Sequence, residues 1–249
     1  MDADLRNIAD DFFVNLNLQT TLPLPKHRET VLQFCEAVQK RFTDMTSFYQ
    51  RDGGEYVLEG DRESGCYRWM EMQTRQLSAG YFNPPGLGDA YGLHQWLLER
   101  CVYFLGISGL DVEALDVMFG FNMDYRGNRD AIVAEALLSG SSMGMLAGDP
   151  RVRPVEFEPS IVVCLDEQCY LQARLSLETR SSSFQVRTGQ YDDEPVSVYF
   201  TVRRYPAPGG VLSLTDSFSR QCDACEDLVS RIVVPNVIRP IMTAIASSQ

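Results

Sequence analysis

The chain has 249 residues, 45% of them hydrophobic, which is enough for one large domain or two small ones with an apolar core. Its formal charge of −12 argues against nucleic acid, which demands a basic footprint for its phosphates, and against anionic membranes. The opening MDADLRNIADDFF is acidic and lacks the apolar core of a secretory leader, no stretch is expected to reach the roughly 18 apolar residues of a membrane span, and the seven cysteines lack the spacing of a disulfide framework. Together these features predict a reducing, cytoplasmic setting.

In chain order, FVNLNLQT alternates, with Val14, Leu16 and Leu18 on one side and Asn15, Asn17 and Gln19 on the other, as in a half-buried strand. KHRETVLQFCEAVQKRFTDM repeats Val31, Phe34, Cys35, Val38, Phe42 and Met45 at helical spacing behind Pro25. GEYVLEG and CYRWMEMQTRQLSAGYF read as strands, with turns at DGG and DRESG. LGDAYGLHQWLLERCVYFLG then reads as a helix, with Leu93, Trp96, Leu97, Cys101, Phe104 and Leu105 on its apolar side.

After residue 110 the order starts again. DVMFGFNMDY alternates around Val117, Phe119, Phe121 and Met123, and Asn128 is placed to cap the helix RDAIVAEALL. A Ser/Gly/Pro-rich loop, SGSSMGMLAGDPRVRP, leads to four segments read as strands: SIVVCL, CYLQARLSLETR, SFQVRT and VSVYFTVRRY. A last long helix runs from Asp216, with Pro235 inside it. GDRESGCYRWMEMQTR and LDEQCYLQARLSLETR share a turn, a Cys-Tyr pair and a strand ending Thr-Arg.

The repeated order predicts an α+β fold: a duplicated strand-helix-strands-helix unit, 1–110 and 111–249, whose halves share one curved antiparallel sheet with helices on one face. Edge-to-edge joining removes one exposed edge from each half. The layout is like that of the TATA-binding-protein fold, as layout only, since the DNA-reading residues of that fold are not seen here and layout carries no function. The alternative is a helix-grip fold, with one sheet wrapped round the C-terminal helix and a ligand cavity between them. No motif identifies a family.

The chemistry is sparse. In QCDACEDL, Cys222 and Cys225 fall on the stripe Phe218, Cys222, Cys225, Val229, Ile232 of an amphipathic helix. A zinc site requires further ligands and a thioredoxin-like site requires a helix start, so both cysteines are expected to be buried, reduced and metal-free. The two histidines, His27 and His94, have no triad partners nearby in sequence, and no nucleophile elbow or phosphate loop is present. Acidic clusters such as YDDE and LDEQ fall between strands and read as solvated turns. No cofactor or metal is called for. An enzyme assembled from distant loops would first draw on His94, Glu99 and Asp116.

One feature points to recognition. The strand positions opposite the apolar ones carry Tyr67, Trp69, Glu71, Gln73 and Arg75, then Tyr170, Gln172, Arg174, Ser176, Glu178 and Arg180, then Ser197, Tyr199, Thr201, Arg203 and Tyr205. Tyr, Trp and Arg are the residues enriched at binding hot spots. The expected function is therefore non-enzymatic binding of an unknown protein, peptide or small anionic ligand. Tyr67, Trp69, Arg75, Gln172, Arg174, Tyr199, Arg203 and Tyr205 are the candidate contacts. The alternative is a carrier of a small hydrophobic ligand, or a weak enzyme, built on a helix-grip cavity.

Overall fold

The structure is a computed structural model that describes residues 5, 7–149 and 151–248. The elements run β1 (Asp11–Thr20), α1 (Arg28–Arg41), β2 (Ser47–Gln50), β3 (Tyr56–Glu59), β4 (Tyr67–Met72), β5 (Gln76–Phe82) and α2 (Leu87–Phe104). They continue with β6 (Val112–Met123), α3 (Arg129–Leu138), α4 (Ser142–Ala147), β7 (Ser160–Cys164), β8 (Leu171–Glu178), α5 (Ser183–Thr188), β9 (Val196–Arg204) and α6 (Leu214–Leu228). A π-helical stretch, Val229–Ile238, joins α6 to α7 (Arg239–Ser248).

The fold is α+β, with one open sheet of nine strands in the order β2-β3-β4-β5-β1-β6-β9-β8-β7. Every pairing is antiparallel. The two longest strands, β1 and β6, pair at the centre, Val14 opposite Phe119 and Leu16 opposite Val117. Strand alternation sends Phe12, Val14, Leu16 and Leu18 to one face with Val117, Phe119 and Phe121, all essentially without solvent contact. Each such side chain contributes roughly 1.5–3 kcal/mol of burial. Against this face pack Val31, Phe34 and Val38 of α1, Leu93, Leu97 and Cys101 of α2, and Phe218, Cys222 and Cys225 of α6. Gln221 docks α6 by hydrogen bonds as well: its side-chain amide donates to the carbonyls of Leu115 (2.8 Å) and Val202 (2.7 Å).

Four expectations need correcting. SFQVRT is helix α5, not a strand, because Ser182 and Gln185 form a reciprocal capping box that satisfies the first turn. CYRWMEMQTRQLSAGYF is two strands, since the chain reverses at Gln73–Arg75 and pairs Met72 with Leu77. Ile232 is exposed rather than on the buried stripe. The π-helical stretch shifts the phase of the helix there, and it is also where Pro235, which has no N–H to donate, is accommodated. Finally, Leu214–Ser248 forms a 35-residue helix with an 18-residue window of mean hydropathy 1.4, long and apolar enough to cross a membrane. In this fold Val229, Val233, Val234, Ile238, Ile241 and Ile245 of that helix face the protein, while Arg231 and Arg239 are exposed. The short strand β2 went unread because its exposed SFYQ lacks an alternating apolar pattern.

Candidate functional site

The sheet face opposite the helices is built in rungs. One rung runs Tyr67 (β4), Phe82 (β5), Phe13 (β1), Gly120 (β6), Tyr199 (β9) and Ser176 (β8). Its rings form a nearly continuous row. Tyr67 stacks on Phe82 with centroids 5.3 Å apart, Phe82 on Phe13 at 5.8 Å, and Phe13 meets Tyr199 edge-on at 6.2 Å. Gly120 makes the row possible. A Cβ there would collide with the Phe13 ring, which lies across the glycine.

The next rung runs Trp69, Gly80, Asn15, Met118, Thr201 and Arg174. Gly80 repeats the device: the Trp69 indole and the Asn15 amide oxygen both lie over it. That oxygen, Asn15 Oδ1, is shielded from solvent and has no hydrogen-bond partner. The third rung runs Glu71, Ser78, Asn17, Asp116, Arg203 and Gln172. Phe13, Asn15, Trp69, Phe82 and Tyr199 line a recess of about 440 Å³, closed on one side by Arg180 and Pro195.

Charges on this face are largely paired. Arg203 makes a two-pronged contact with the buried Asp116, at 2.7 and 2.6 Å, which holds its guanidinium pKa above the ordinary arginine value. Arg180 donates to Glu178 (2.6 Å), to the Tyr199 hydroxyl (2.6 Å) and to Ser197 (2.8 Å). It does so from a left-handed backbone, φ 51°, which costs a non-glycine residue about 1–2 kcal/mol. Glu158 holds it there by accepting the N–H groups of Thr179 (2.7 Å) and Arg180 (3.1 Å). Arg174 is exposed and donates to the Ser160 hydroxyl (3.2 Å). Burial pushes the Tyr67 phenol pKa upward, so Tyr67 stays protonated.

Six of the eight sequence-derived candidates, Tyr67, Trp69, Gln172, Arg174, Tyr199 and Arg203, sit in these three rungs. Arg75 does not: it lies in the turn before β5, fully outside the strand face, where its carbonyl accepts from Thr20. Tyr205 follows the end of β9, with its hydroxyl 3.4 Å from Arg203. Phe13 and Phe82 were missed, and Asn15 and Arg180, though read on polar strand positions, were not among the candidate contacts. The usable signal was an isolated glycine within each of two strands, Gly80 and Gly120, which marks a close approach.

His94, Glu99 and Asp116 are not brought together. His94 is fully buried on the helix side, edge-on to Phe218, with neither ring nitrogen hydrogen-bonded; burial lowers its pKa to about 3. Asp116 is on the opposite face, and Glu99 is exposed, accepting from Gln95. Cys222 and Cys225 are buried as expected, and burial raises both thiol pKa values. Among the described residues, no three His, Cys, Asp or Glu converge as a metal cluster. No family model matches the chain, and no curated protein or solved structure matches it.

Proposed function

We propose that the chain is a binding protein that holds a peptide or protein segment on its open sheet face. The carrying observation is the aromatic row Tyr67–Phe82–Phe13–Tyr199, with Trp69 beside it. Such a surface offers apolar area at little entropy cost. Arg203 and Arg180 are already neutralised by Asp116 and Glu178, so the surface suits an uncharged apolar or aromatic group better than a small anion. The acidic chain supports the same reading, since a partner with basic flanks would be drawn towards it.

The proposal includes the architecture. The fold is read as two strand-helix-strands-helix units, 1–110 and 111–249, joined edge to edge in a TATA-binding-protein-like layout. In support, the last strand of each unit pairs with its first, β5 with β1 and β9 with β6, and β1 and β6 meet at the centre. The exposed Cys66, which has no second thiol in contact, supports a reducing, cytoplasmic setting.

The test compares partners cross-linked and captured by the wild-type chain with those of Phe13→Ala, Trp69→Ala and Tyr199→Ala, all checked for an unchanged melting temperature. At least one partner is expected to be lost by all three variants, with its wild-type cross-links mapping to β1, β4 and β9. A partner set unchanged across the variants overturns the proposal.

A further inference from the structure

The hairpin joining β7 to β8 carries two exposed thiols. Cys164 ends β7, Cys169 leaves the turn, and their sulfurs lie 2.8 Å apart. The backbone explains how they meet. The Cys169 N–H closes a turn on the Asp166 carbonyl (3.3 Å), and the Asp166 carboxylate accepts the N–H of Leu171 (3.1 Å). Cys169 then takes a left-handed conformation, φ 61°, which swings its side chain back over the strand end. Sterics assign that position to Gly or Asn; a cysteine there sits at a cost of about 1–2 kcal/mol. The left-handed position of the β3–β4 turn does use glycine, Gly65 at φ 67°. Two thiols are thus held in contact at a solvent-facing turn, one of them in a conformation its residue type disfavours.

We propose that Cys164 and Cys169 are a reversible oxidation site, forming an intrachain disulfide when the protein meets a hydroperoxide. This goes beyond the binding reading and does not rest on it. Cys169 is the thiol that reacts first, because the Cys164 proton is held by the neighbouring Cys169 sulfur and by the nearby Asp166 charge. The Cys169 thiolate attacks one peroxide oxygen, the O–O bond breaks, and the leaving hydroxide takes up the proton the Cys169 thiol had released to become water, which leaves a sulfenic acid. The Cys164 sulfur then attacks the Cys169 sulfur, and the S–O bond breaks. The hydroxide released takes up the Cys164 proton. In sum, two thiols and one hydrogen peroxide give one disulfide and two waters. A dithiol reductant reverses the sulfur chemistry by exchange.

The other thiols act as internal controls. Cys35, Cys101, Cys222 and Cys225 are buried, and burial pushes Cys35 and Cys101 up to about 12. Cys66 is exposed, with the Tyr81 hydroxyl 3.8 Å away and no second thiol in contact. It can be oxidised but has no partner with which to form an internal bond.

The experiment treats the reduced, folded full-length chain with hydrogen peroxide, alkylates the remaining thiols, and digests with trypsin. Cys164 and Cys169 fall in one peptide, residues 152–174, since the bond before Pro154 resists cleavage. That peptide is expected to lose two hydrogens and both alkylation sites together, as proximity makes the second step intramolecular, whereas Cys66 stops at a single oxidised thiol. Dithiothreitol restores both sites. In Cys164→Ser the same peptide instead accumulates a sulfenic acid trapped by dimedone. Two alkylated cysteines persisting in the wild-type peptide while Cys66 oxidises would overturn the proposal, as would equal dimedone labelling of Cys169 in both proteins.

Discussion

The two ends of the sheet are finished in different ways. At the β2 end, carboxylates on the strands are capped by arginines: Glu59 by Arg62 (2.6 Å) and Glu71 by Arg51 (2.7 Å). A seven-residue connection with a short 3-10 turn joins β3 to β4, and a three-residue turn joins β4 to β5. At the β7 end the outer strand is apolar and open, with Ile161, Val162 and Val163 all exposed, and the connection from β8 to β9 is long and carries α5. The short, mostly polar β2 (SFYQ) discourages pairing with other strands, whereas the apolar β7 does not. The contrast lies in how polar groups are paired: in partly exposed ion pairs at one end, and through a few buried polar groups at the other.

The chief of these groups is Arg129. Its side chain is fully buried and donates to the carbonyls of Thr179 (2.6 Å), Asp192 (2.9 Å), Glu194 (2.9 Å) and Arg180 (3.3 Å). One guanidinium therefore pins both ends of the β8–β9 connection. Asp130 beside it accepts from the Thr179 hydroxyl (2.7 Å) and the Phe157 N–H (2.6 Å). Arg129→Ala strands several carbonyls and is expected to cost about 3–5 kcal/mol in urea unfolding. Arg62→Ala, which breaks the partly exposed pair at the other end, is expected to cost less than about 1 kcal/mol. Equal costs would erase the contrast.

The next effect lies where the helices of the two ends meet. His94 on α2 faces Phe218 on α6. The unfolded imidazole titrates near 6.5, while burial holds the folded one to about 3. Between these values the unfolded chain binds a proton that the native chain does not. Stability therefore falls as the pH drops through that window, by at most about 1.4 kcal/mol per unit. His94→Leu has no such proton to take up, and it also removes two unpaired ring nitrogens. Between pH 6.5 and 4.5 the wild type is expected to lose about 2–3 kcal/mol more than the variant. Carboxylates titrating in the same range are common to both proteins and cancel. Parallel stability curves would show that water or a nearby group accommodates the charge.

Particular residues show how far the sequence could be read. The alternation of β1 and β6 is legible, because burial on one face imposes a period of two on Phe12 to Leu18 and on Leu115 to Phe121. The polar and aromatic sheet face follows from the same alternation, and six of the eight candidate residues fall on it. Phe13 and Phe82 escaped notice because their role depends on cross-strand register, which places Gly120 between Phe13 and Tyr199. Nothing in the sequence singles out Arg129, since its four carbonyl partners lie about 50 to 65 residues away in the chain. The Cys164–Cys169 contact depends on one positive φ, which spacing alone does not reveal.

The smallest expected effect compares the two turns directly. Gly65 and Cys169 both take left-handed backbone in their turns, φ 67° and 61°. A Cβ at Gly65 would meet nothing within 4 Å, so Gly65→Ala isolates the conformational cost and is expected to destabilise by about 1 kcal/mol. At Cys169 the sign reverses. Under reducing conditions Cys169→Asn, which tolerates this conformation, is expected to stabilise by roughly 0.5–1 kcal/mol. After peroxide the order should invert, because a closed loop of this size favours the folded wild type by roughly 2 kcal/mol in chain-entropy terms. Urea unfolding of the wild type and Cys169→Asn, each with and without peroxide, reads all four values. A variant that is less stable than the reduced wild type would mean that the thiol contact outweighs the backbone strain, and the two turns would then differ in packing rather than in conformation.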